Sequence, residues 1–438
     1  MNKLFNKLFA VFMAFILAIA GLALKPAIPA RAAGTIYFVG GCILPSCLGG
    51  SWNTGFLTLQ EALATASSGD QIWVKMGTYY PDEGPGQTNN SASSTFTLKN
   101  GVEIYGGFAG TETLLNQRNV SANLTILSGD IDKNDLVSAN GYVLAGNNAN
   151  HVVTASGTNS TAVLDGFLIQ QGDADGAGGL NSVGGGIVND AGNATFSNLT
   201  IFSNEAVTGG GGMYNRNSDP TLTSVSFSKN KTDNDGGGMM NFQGSSPALT
   251  NVTFDANTAG DRGGGMYNES SSSPTMSGGS MTNNVSGPTS VSGDGGAMYN
   301  ANGSSPTVSN VAFTSNTADN GGGMYNNNAS NPSVSNLTFA SNVARDSGGG
   351  MYNFDHANPV LTNVFFTANI SNDSGGAGMY NQVLSAPTLT NVTFQSNQAV
   401  NGYGGGMMNN ESTVTLNQVT FNNNSATFDG GGMYSFSG

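Results

Sequence analysis

The chain of 438 residues contains 64 Gly and 13 Lys and Arg against 27 Asp and Glu, which gives a formal net charge of −14. So few basic residues argue against nucleic acid as a partner, because neutralising phosphates requires clustered Lys and Arg. The acidic surface also argues against binding to anionic membranes, while it leaves room for a divalent cation.

Residues 1–32 have the pattern of a secretory signal peptide. Lys3 and Lys7 precede an apolar run from Leu8 to Leu24, and Ala30-Arg31-Ala32 provides a small-x-small cleavage site. A short uncleaved anchor is the alternative, because the apolar run is nearly long enough to span a bilayer. Four of the 13 basic residues and none of the 27 acids lie in this segment, so the mature chain carries 9 basic and 27 acidic residues and a net charge of −18. We expect a protein exported to the cell surface or the extracellular space, with no integral membrane domain after residue 32.

Cys42 and Cys47 are the two cysteines of the chain. In an exported protein, this close spacing favours a small disulfide loop over two free thiols. A zinc site would need two further ligands nearby, and His151 and His356 are distant in sequence. We therefore predict a Cys42–Cys47 disulfide.

Residues 33–150 are interpreted as an N-terminal cap followed by irregular first coils of a β-solenoid. The segment Thr58 to Ala66 has helical spacing of its apolar residues and is predicted to form a short capping helix. A cap is physically needed, because the open end of a solenoid exposes a sheet edge. Strands are predicted within 71–75, 101–108 and 124–130, each of them next to a Gly turn.

Residues 151–438 contain a regular repeat of about 26 residues. A Gly-rich tract precedes one apolar residue per repeat: Ile187, Met213, Met239, Met266, Met298, Met324, Met351, Met379, Met407 and Met433. Asn follows two positions later in nine of the ten repeats. Fixed spacing of this kind is the mark of a repeat architecture and excludes the disorder that the composition alone would allow.

A second column accompanies the first. It consists of Ile201, Phe227, Phe254, Met281, Phe313, Phe339, Phe366, Phe394 and Phe421, each followed three residues later by Asn. Alternation around these residues predicts short strands, and stacking of the repeats buries Phe on Phe and Met on Met. We place the Asn columns at turns with left-handed backbone, where their amides bond to one another between coils. The fold class is therefore predicted to be all-β, a single-stranded right-handed parallel β-helix with about 26 residues per coil, and no C-terminal cap is recognised before Gly438.

Two sets of side chains are candidate site residues. The residue after each Met is expected to point outward as an exposed platform for sugars or proteins, which comprises Tyr214, Tyr267, Tyr299, Tyr325, Tyr352 and Tyr380. The alternative is that these rings cover the stack. Outward Ser and Thr beside the Phe column form another row, but Ala312 and Phe365 interrupt it, which argues against ice binding there.

A recurrent acid lies four to six residues before the Met in seven repeats, and Asp235, Asp261 and Asp294 form the densest group, next to Arg262 and the long loop 284–295. Because neighbouring coils lie about 4.8 Å apart, these carboxylates are candidate ligands for a Ca²⁺ ion shared between coils. Turn chemistry is the alternative, since Asp is favoured before Gly. No cofactor is required, and Ca²⁺ is the one cofactor that we consider.

The paired Gly-Gly-Gly-Met-Tyr-Asn and Phe-x-x-Asn motifs over residues 164–438 resemble the GGA-[I/L/V] and FxxN repeats of bacterial polymorphic outer membrane proteins. The resemblance implies right-handed parallel β-helix passenger domains that act as surface adhesins. Met stands where that family prefers an aliphatic residue. The stretch from Ser68 to Pro81 is similar to the first coil of many pectate-lyase-like exported β-helix proteins.

These features lead us to expect an adhesive or structural module that binds a cell-surface glycan or a protein through its lateral face. The alternative is a Ca²⁺-dependent polysaccharide lyase or glycoside hydrolase, because enzymes on the pectate-lyase-like fold use Asp residues with an Arg or Lys base. The uniform repeat argues against an active site, since active sites normally break the local rules of their scaffold.

Overall fold

The computed structural model describes residues 34–42, 47–139, 141–288 and 293–436, so the predicted signal peptide lies outside the described residues. From Thr35 onward the chain winds as a right-handed parallel β-helix, which confirms the predicted fold class. Each coil from Val163 onward contributes to three parallel sheets, which we call the long sheet, the short sheet and the methionine sheet, and the short sheet begins only at Asp173.

The strands fall into these sheets as follows. The long sheet contains Ile36–Val39, Gln71–Lys75, Gly77–Tyr79, Glu103–Phe108, Thr125–Ser128, Val163–Asp165, Leu168–Gln170, Thr195–Ser197, Thr200–Phe202, Thr221–Thr223, Ser226–Ser228, Ala248–Asp255, Thr275–Thr282, Thr307–Ser309, Ala312–Thr314, Ser333–Ser335, Thr338–Ala340, Val360–Thr367, Thr388–Gln395, Thr415–Asn417 and Thr420–Asn422. The short sheet contains Asp173–Ala174, Glu205–Ala206, Lys231–Thr232, Thr258–Ala259, Val285–Ser286, Thr317–Asn320, Val343–Ser347, Ile370–Ser371, Gln398–Ala399 and Ser425–Ala426. The methionine sheet contains Phe96–Thr97, Val153–Thr154, Ile187–Asp190, Met213–Arg216, Met239–Phe242, Met266–Asn268, Met298–Asn300, Met324–Asn326, Met351–Phe354, Met379–Gln382, Met407–Asn410 and Met433–Phe436.

Two elements lie outside the coils' regular path near the N-terminal end. Leu136–Ser138 and Gly141–Val143 form an antiparallel hairpin. Cys42 and Cys47 are joined by a disulfide with their Cα atoms 5.6 Å apart. Short 3₁₀ helices occur at Trp52–Thr54, Leu115–Gln117 and Gly179–Ser182.

The α-helix, α1, spans Leu59–Thr65, within the segment where the sequence predicts it. A capping box explains its start, because the Thr58 side chain accepts from the main-chain N of Glu61 and the Glu61 side chain accepts from the main-chain N of Thr58. Leu59 and Leu63 are buried in the first coils' core, and the helix contacts the first long-sheet strands.

The core runs the length of the solenoid and consists of the Met and Phe columns that the repeat predicts. Met213 pairs with Met239 and Phe227 with Phe254, and these columns keep their register coil after coil. Neighbouring Phe rings stack in parallel, with centroids 4.8 Å apart for Phe339 and Phe366. Dispersion and burial of this continuous core stabilise units that cannot bury their apolar side alone.

Two ladders of buried Asn residues accompany the core, one three residues after the Phe column and one two residues after the Met column. Asn342 donates from its main-chain N and from Nδ2 to Oδ1 of Asn369, both at 3.0 Å, and from Nδ2 to the carbonyl of Phe313 at 2.9 Å. The same pattern links the ladder members Asn204, Asn230, Asn257, Asn284, Asn316, Asn342, Asn369, Asn397 and Asn424. A second ladder runs through the methionine sheet from Asn189 to Asn409. The amide–amide bonds between coils are therefore confirmed.

The left-handed backbone, however, is not at these Asn residues. The residue immediately before each Asn of the first ladder has φ of 52–55°, and it is as varied as Lys229, Ala256 and Ser341. The ladder Asn itself is turned inward, where its amide satisfies main-chain groups that the turn leaves unpaired. Left-handed Asn occurs instead at a bend in the middle of the long sheet, in an exposed column that includes Asn251, Asn336 and Asn391.

The Gly tracts permit both a left-handed turn and a close approach of two coils. The Gly three residues before each Met has positive φ, for example 63° at Gly210. At the next position, a Cβ on Gly211 would lie 2.1 Å from the carbonyl oxygen of Lys231 in the neighbouring coil. Glycine is therefore required at both positions.

Candidate functional site

The six tyrosines predicted as an exposed platform do point away from the Met core, but they are buried. Their exposed fractions range from 0% at Tyr267 to 7% at Tyr325 and Tyr352, and they form a second apolar cluster outside the main core. The rings stack along the coils, with centroids 4.9 Å apart for Tyr299 and Tyr325. The expectation of an exposed row is wrong, because the Gly turn of each coil folds back against the Tyr that follows it: a Cβ on Gly321 would lie 2.9 Å from the Cβ of Tyr325.

The phenol groups are also engaged within the protein. Asn327 donates to the Tyr299 hydroxyl at 3.0 Å and Asn410 to the Tyr380 hydroxyl at 3.3 Å. Burial raises the pKa of Tyr299 and Tyr325. The structure therefore agrees with the alternative interpretation of the sequence, in which these rings cover the stack.

The acids predicted to share Ca²⁺ do not form a single column. Asp235 and Asp294 occupy the same register two coils apart, and Arg262, not Asp261, lies between them. Arg262 binds Asp235 with both ends of its guanidinium, Nε to Oδ1 and Nη2 to Oδ2, each at 2.9 Å. The sequence analysis grouped acids that lie at different distances before the Met, and this grouping is wrong for Asp261. Asp235, Arg262 and Asp294 each lie four residues before their Met and share one register, whereas Asp261 lies five residues before Met266.

The electrostatics of this group also differ from those of a metal site. Burial raises the pKa of Asp235 to about 6 against the opposing attraction of Arg262, and burial likewise raises the pKa of Asp294 to about 6. Arg262 lies over the rings of Tyr267 and Tyr299, 5.1 and 5.6 Å from their centroids. Burial lowers its pKa, but the attraction of Asp235 outweighs this effect, so the pKa of Arg262 is raised. A fixed guanidinium thus supplies the positive charge between the two carboxylates, and this Arg is poorly suited to act as a base. Across the described ranges, no group of three or more His, Cys, Asp or Glu side chains could hold a metal ion.

A charged column on the outer side of the short sheet was missed at the sequence level. Asp173, Glu205 and Lys231 occupy one register in three successive coils, and Lys231 forms an ion pair of 3.0 Å with Glu205. Burial and the neighbouring Asp175 and Glu205 raise the pKa of Asp173 to about 6. The sequence could have revealed this column, because the later coils have uncharged residues at the same register and three successive charged residues stand out against them.

An open groove of about 780 Å³ runs across the long sheet between its outer surface and the segment 109–124. Its floor spans five successive coils, from Thr125 through Phe167, Asn198 and Ser226 to Thr253. Since neighbouring coils lie about 4.8 Å apart, the floor extends over about 19 Å. The floor is made of Ser, Thr and Asn side chains around Leu and Val, without a charged residue of its own.

Arg118 fixes the wall of this groove. Its Nη2 pairs with Asp165 at 2.8 Å, and its Nη1 donates to the carbonyls of Gly106 and Asp165 at 3.2 Å. The guanidinium also lies over the ring of Tyr105, 5.1 Å from the centroid. With its charge neutralised by Asp165, Arg118 holds the segment in place and leaves a groove that is close to neutral.

A second, smaller depression lies where the hairpin Leu136–Ser138/Gly141–Val143 meets the short sheet. Tyr142, Ser203, Glu205, Lys229 and Lys231 line it. The Lys229 ammonium donates to the carbonyl of Ala139 and the Ser203 hydroxyl accepts from the main-chain N of Tyr142. Of its charged groups, Lys229 thus holds the hairpin, while Lys231 and Glu205 pair with each other.

Comparison with known proteins leaves the family open. No family model and no curated protein matches the chain. Among solved structures, the chain is similar to the A-module of the Azotobacter vinelandii mannuronan C-5 epimerase AlgE4, with 12% identity, a TM-score of 0.40, and coverage of 85% of this chain and 92% of the other. It is also similar to the pectate lyase Pel9A (13% identity, TM-score 0.33, coverage 92% and 82%) and to a rhamnogalacturonan lyase (12% identity, TM-score 0.29, coverage 84% and 82%).

Similarities of this size carry no information on what this chain binds. The resemblance to polymorphic outer membrane proteins stays a prediction. In the part of the chain that the structure describes, no helix is long and apolar enough to cross a membrane.

Proposed function

We propose that this chain is an exported, adhesin-like β-solenoid that binds an extended, uncharged polysaccharide along the groove between residues 109–124 and the long sheet. The observation that carries the proposal is the groove itself. It is the larger of the two depressions described above, and it follows the stacking direction of the coils.

The composition of the floor supports a glycan as the ligand. Successive coils present hydroxyl and amide groups at intervals of about 4.8 Å, a spacing close to the length of one sugar residue in an extended chain. Few polar groups that fix orientation on a largely apolar surface are typical of small-molecule and glycan sites. The neutral floor and the acidic chain favour an uncharged glycan over a polyanion, which the protein's field would repel.

A matched pair of substitutions tests this proposal. Thr253 lines the groove, and Thr393 occupies the same outward register five coils further on, beyond it. We expect Thr253→Trp to weaken polysaccharide binding by at least about tenfold, or about 1.4 kcal/mol, whereas Thr393→Trp leaves it unchanged. The measurement is affinity electrophoresis of the exported chain against a panel of soluble neutral and uronate polysaccharides, after a glycan array has selected the ligand.

Three results would contradict the proposal. They are a blank array with folded wild-type protein, an equal effect of the two Trp substitutions, or binding confined to uronates. Release of reducing ends or of unsaturated products during the same incubations would show that the chain is a hydrolase or lyase, which is the alternative function given in the sequence analysis.

A further inference from the structure

In each coil, the part of the long sheet that precedes the bend presents hydroxyl groups to solvent. Together these parts form a regular array that is separate from the groove. We call it the hydroxyl facet and define it by two columns over seven coils. The first column is Thr223, Thr250, Ser277, Ser309, Ser335, Thr362 and Thr390, and the second is Thr221, Ala248, Thr275, Thr307, Ser333, Val360 and Thr388. Thr or Ser occupies all positions of the first column and five of the seven in the second.

The facet is held in a fixed lattice by the core beneath it. Between the two columns, each strand turns one apolar side chain inward, and these residues are Leu222, Leu249, Met276, Val308, Val334, Leu361 and Leu389, all of them buried. The seven coils pair in parallel without a shift of register in this half of the sheet. The hydroxyl groups therefore repeat at about 4.8 Å along the stack and about 6.6 Å along each strand.

The hydroxyls of the facet are not used within the protein. None of them forms a side-chain hydrogen bond to another described residue, whereas Ser218, Ser245 and Ser304, which have the same chemistry in the nearby turns, are buried and bonded. The facet also has no charged and no aromatic side chain. It lacks the flat rings that stack on sugar faces and the ion pairs that fix a protein partner.

We infer that the hydroxyl facet binds ice. Water molecules that bond to hydroxyls fixed in two dimensions take up the repeat of those hydroxyls, and the Thr methyl groups between them restrict where further water can sit. A rigid sheet orders this layer without losing side-chain freedom at the moment of adsorption. Such an ordered layer matches a crystalline form of water, while a soluble glycan or a protein has no lattice to match.

The hydroxyl facet is not the outward row of Ser and Thr beside the Phe column, for which the sequence argues against ice binding. Ala312 and Phe365 interrupt the column that starts at Thr200, which lies on the other side of the bend in the long sheet. The bend at Asn251 and its equivalents separates the two surfaces, so Ala312 and Phe365 lie outside the hydroxyl facet, whose first column is uninterrupted.

Two double variants test the inference. Ser277→Tyr with Ser335→Tyr places two rings in the first column, and Thr317→Tyr with Gln398→Tyr places two rings at outward positions of the short sheet. Circular dichroism and thermal melts check that both remain folded. We expect the wild-type chain to show thermal hysteresis and faceted ice crystals in a nanolitre osmometer, the facet variant to lose most of the hysteresis, and the short-sheet variant to keep it.

The inference is overturned if folded wild-type protein shows neither hysteresis nor inhibition of ice recrystallisation, or if both variants lose activity equally. Adsorption to crystalline cellulose or chitin that depends on Ser277 and Ser335, without activity on ice, would assign the facet to an insoluble polysaccharide instead. The groove variant Thr253→Trp should retain activity on ice, which separates this result from the glycan-binding test.

Discussion

At the scale of single residues, the acidic side chains behave in two ways. Asp190 and Arg216 form a bidentate pair on the surface of neighbouring coils, which lowers the pKa of Asp190. Burial disfavours the charged forms of Asp173, Asp235 and Asp294 by more than their partners stabilise them, and the pKa of each is raised to about 6. These three carboxylates therefore oppose folding at neutral pH.

Between these pKa values the folded state binds protons that the unfolded state has released, and this determines how the free energy of unfolding changes with pH. Because these folded pKa values lie above the unfolded value near 3.9, stability increases as the pH falls from about 7 to about 4.5. We expect Asp173→Asn to raise the free energy of unfolding at pH 7.5 by about 1 kcal/mol and to flatten part of this dependence. Denaturant titrations at pH 5.0 and 7.5 measure both, with the exposed Asp373→Asn as control. A stability that is independent of pH over this window, or equal effects of both substitutions, would contradict the expectation.

At the scale of elements, the two kinds of Asn column have different roles. Asn342 is fully buried, and it both donates to and accepts from the neighbouring ladder Asn residues. Asn336, in the same coil, is exposed at the bend with φ of 55°, and its amide donates to Asn310 at 3.2 Å. The buried ladder satisfies main-chain groups of adjacent coils, while the exposed one mainly permits the bend.

Substitution separates the two roles. Asn342→Ala removes the acceptor of the buried main-chain N and Nδ2 of Asn316 and a donor to the carbonyl of Phe313, and we expect a loss of about 3 kcal/mol in the free energy of unfolding. Asn336→Gly keeps the left-handed freedom and should change stability by less than about 0.5 kcal/mol. Equilibrium unfolding in guanidinium chloride measures both, and similar effects of the two would show that the buried ladder is not the stabilising one.

At the scale of the whole molecule, each coil contacts its two neighbours in a constant register, so the solenoid is close to a one-dimensional array. Removal of one complete repeat should then preserve the pairing on either side, whereas removal of part of a repeat should place Phe positions against Met positions. The hydroxyl facet and the groove depend on this constancy, because each combines side chains from several coils.

Deletion of residues 324–350 joins one Gly tract to the next Met and removes a whole coil. We expect this protein to retain a β-rich circular dichroism spectrum and cooperative unfolding, while deletion of 324–337 joins Gly323 to Thr338 and abolishes the fold, because a register change turns core side chains to solvent. Collapse of both proteins, or folding of both, would contradict the array description.

The repeat in the sequence determined the fold class, the Met and Phe core columns and the bonding between stacked Asn residues, because each depends on contacts between equivalent positions. Outside the repeat, the local spacing of apolar residues determined the helix at Leu59–Thr65. Tertiary structure alone decided which outward residues reach solvent. The tyrosines are outward on their strand, yet the Gly turn of the same coil covers them, and no periodicity reports how a turn folds back. The placement of Arg262 between Asp235 and Asp294, by contrast, was already present in the sequence, since each of the three lies four residues before its Met. The groove beside residues 109–124 could not be predicted from the sequence, because its wall and floor come from separate coils that only the stacking of the solenoid brings together.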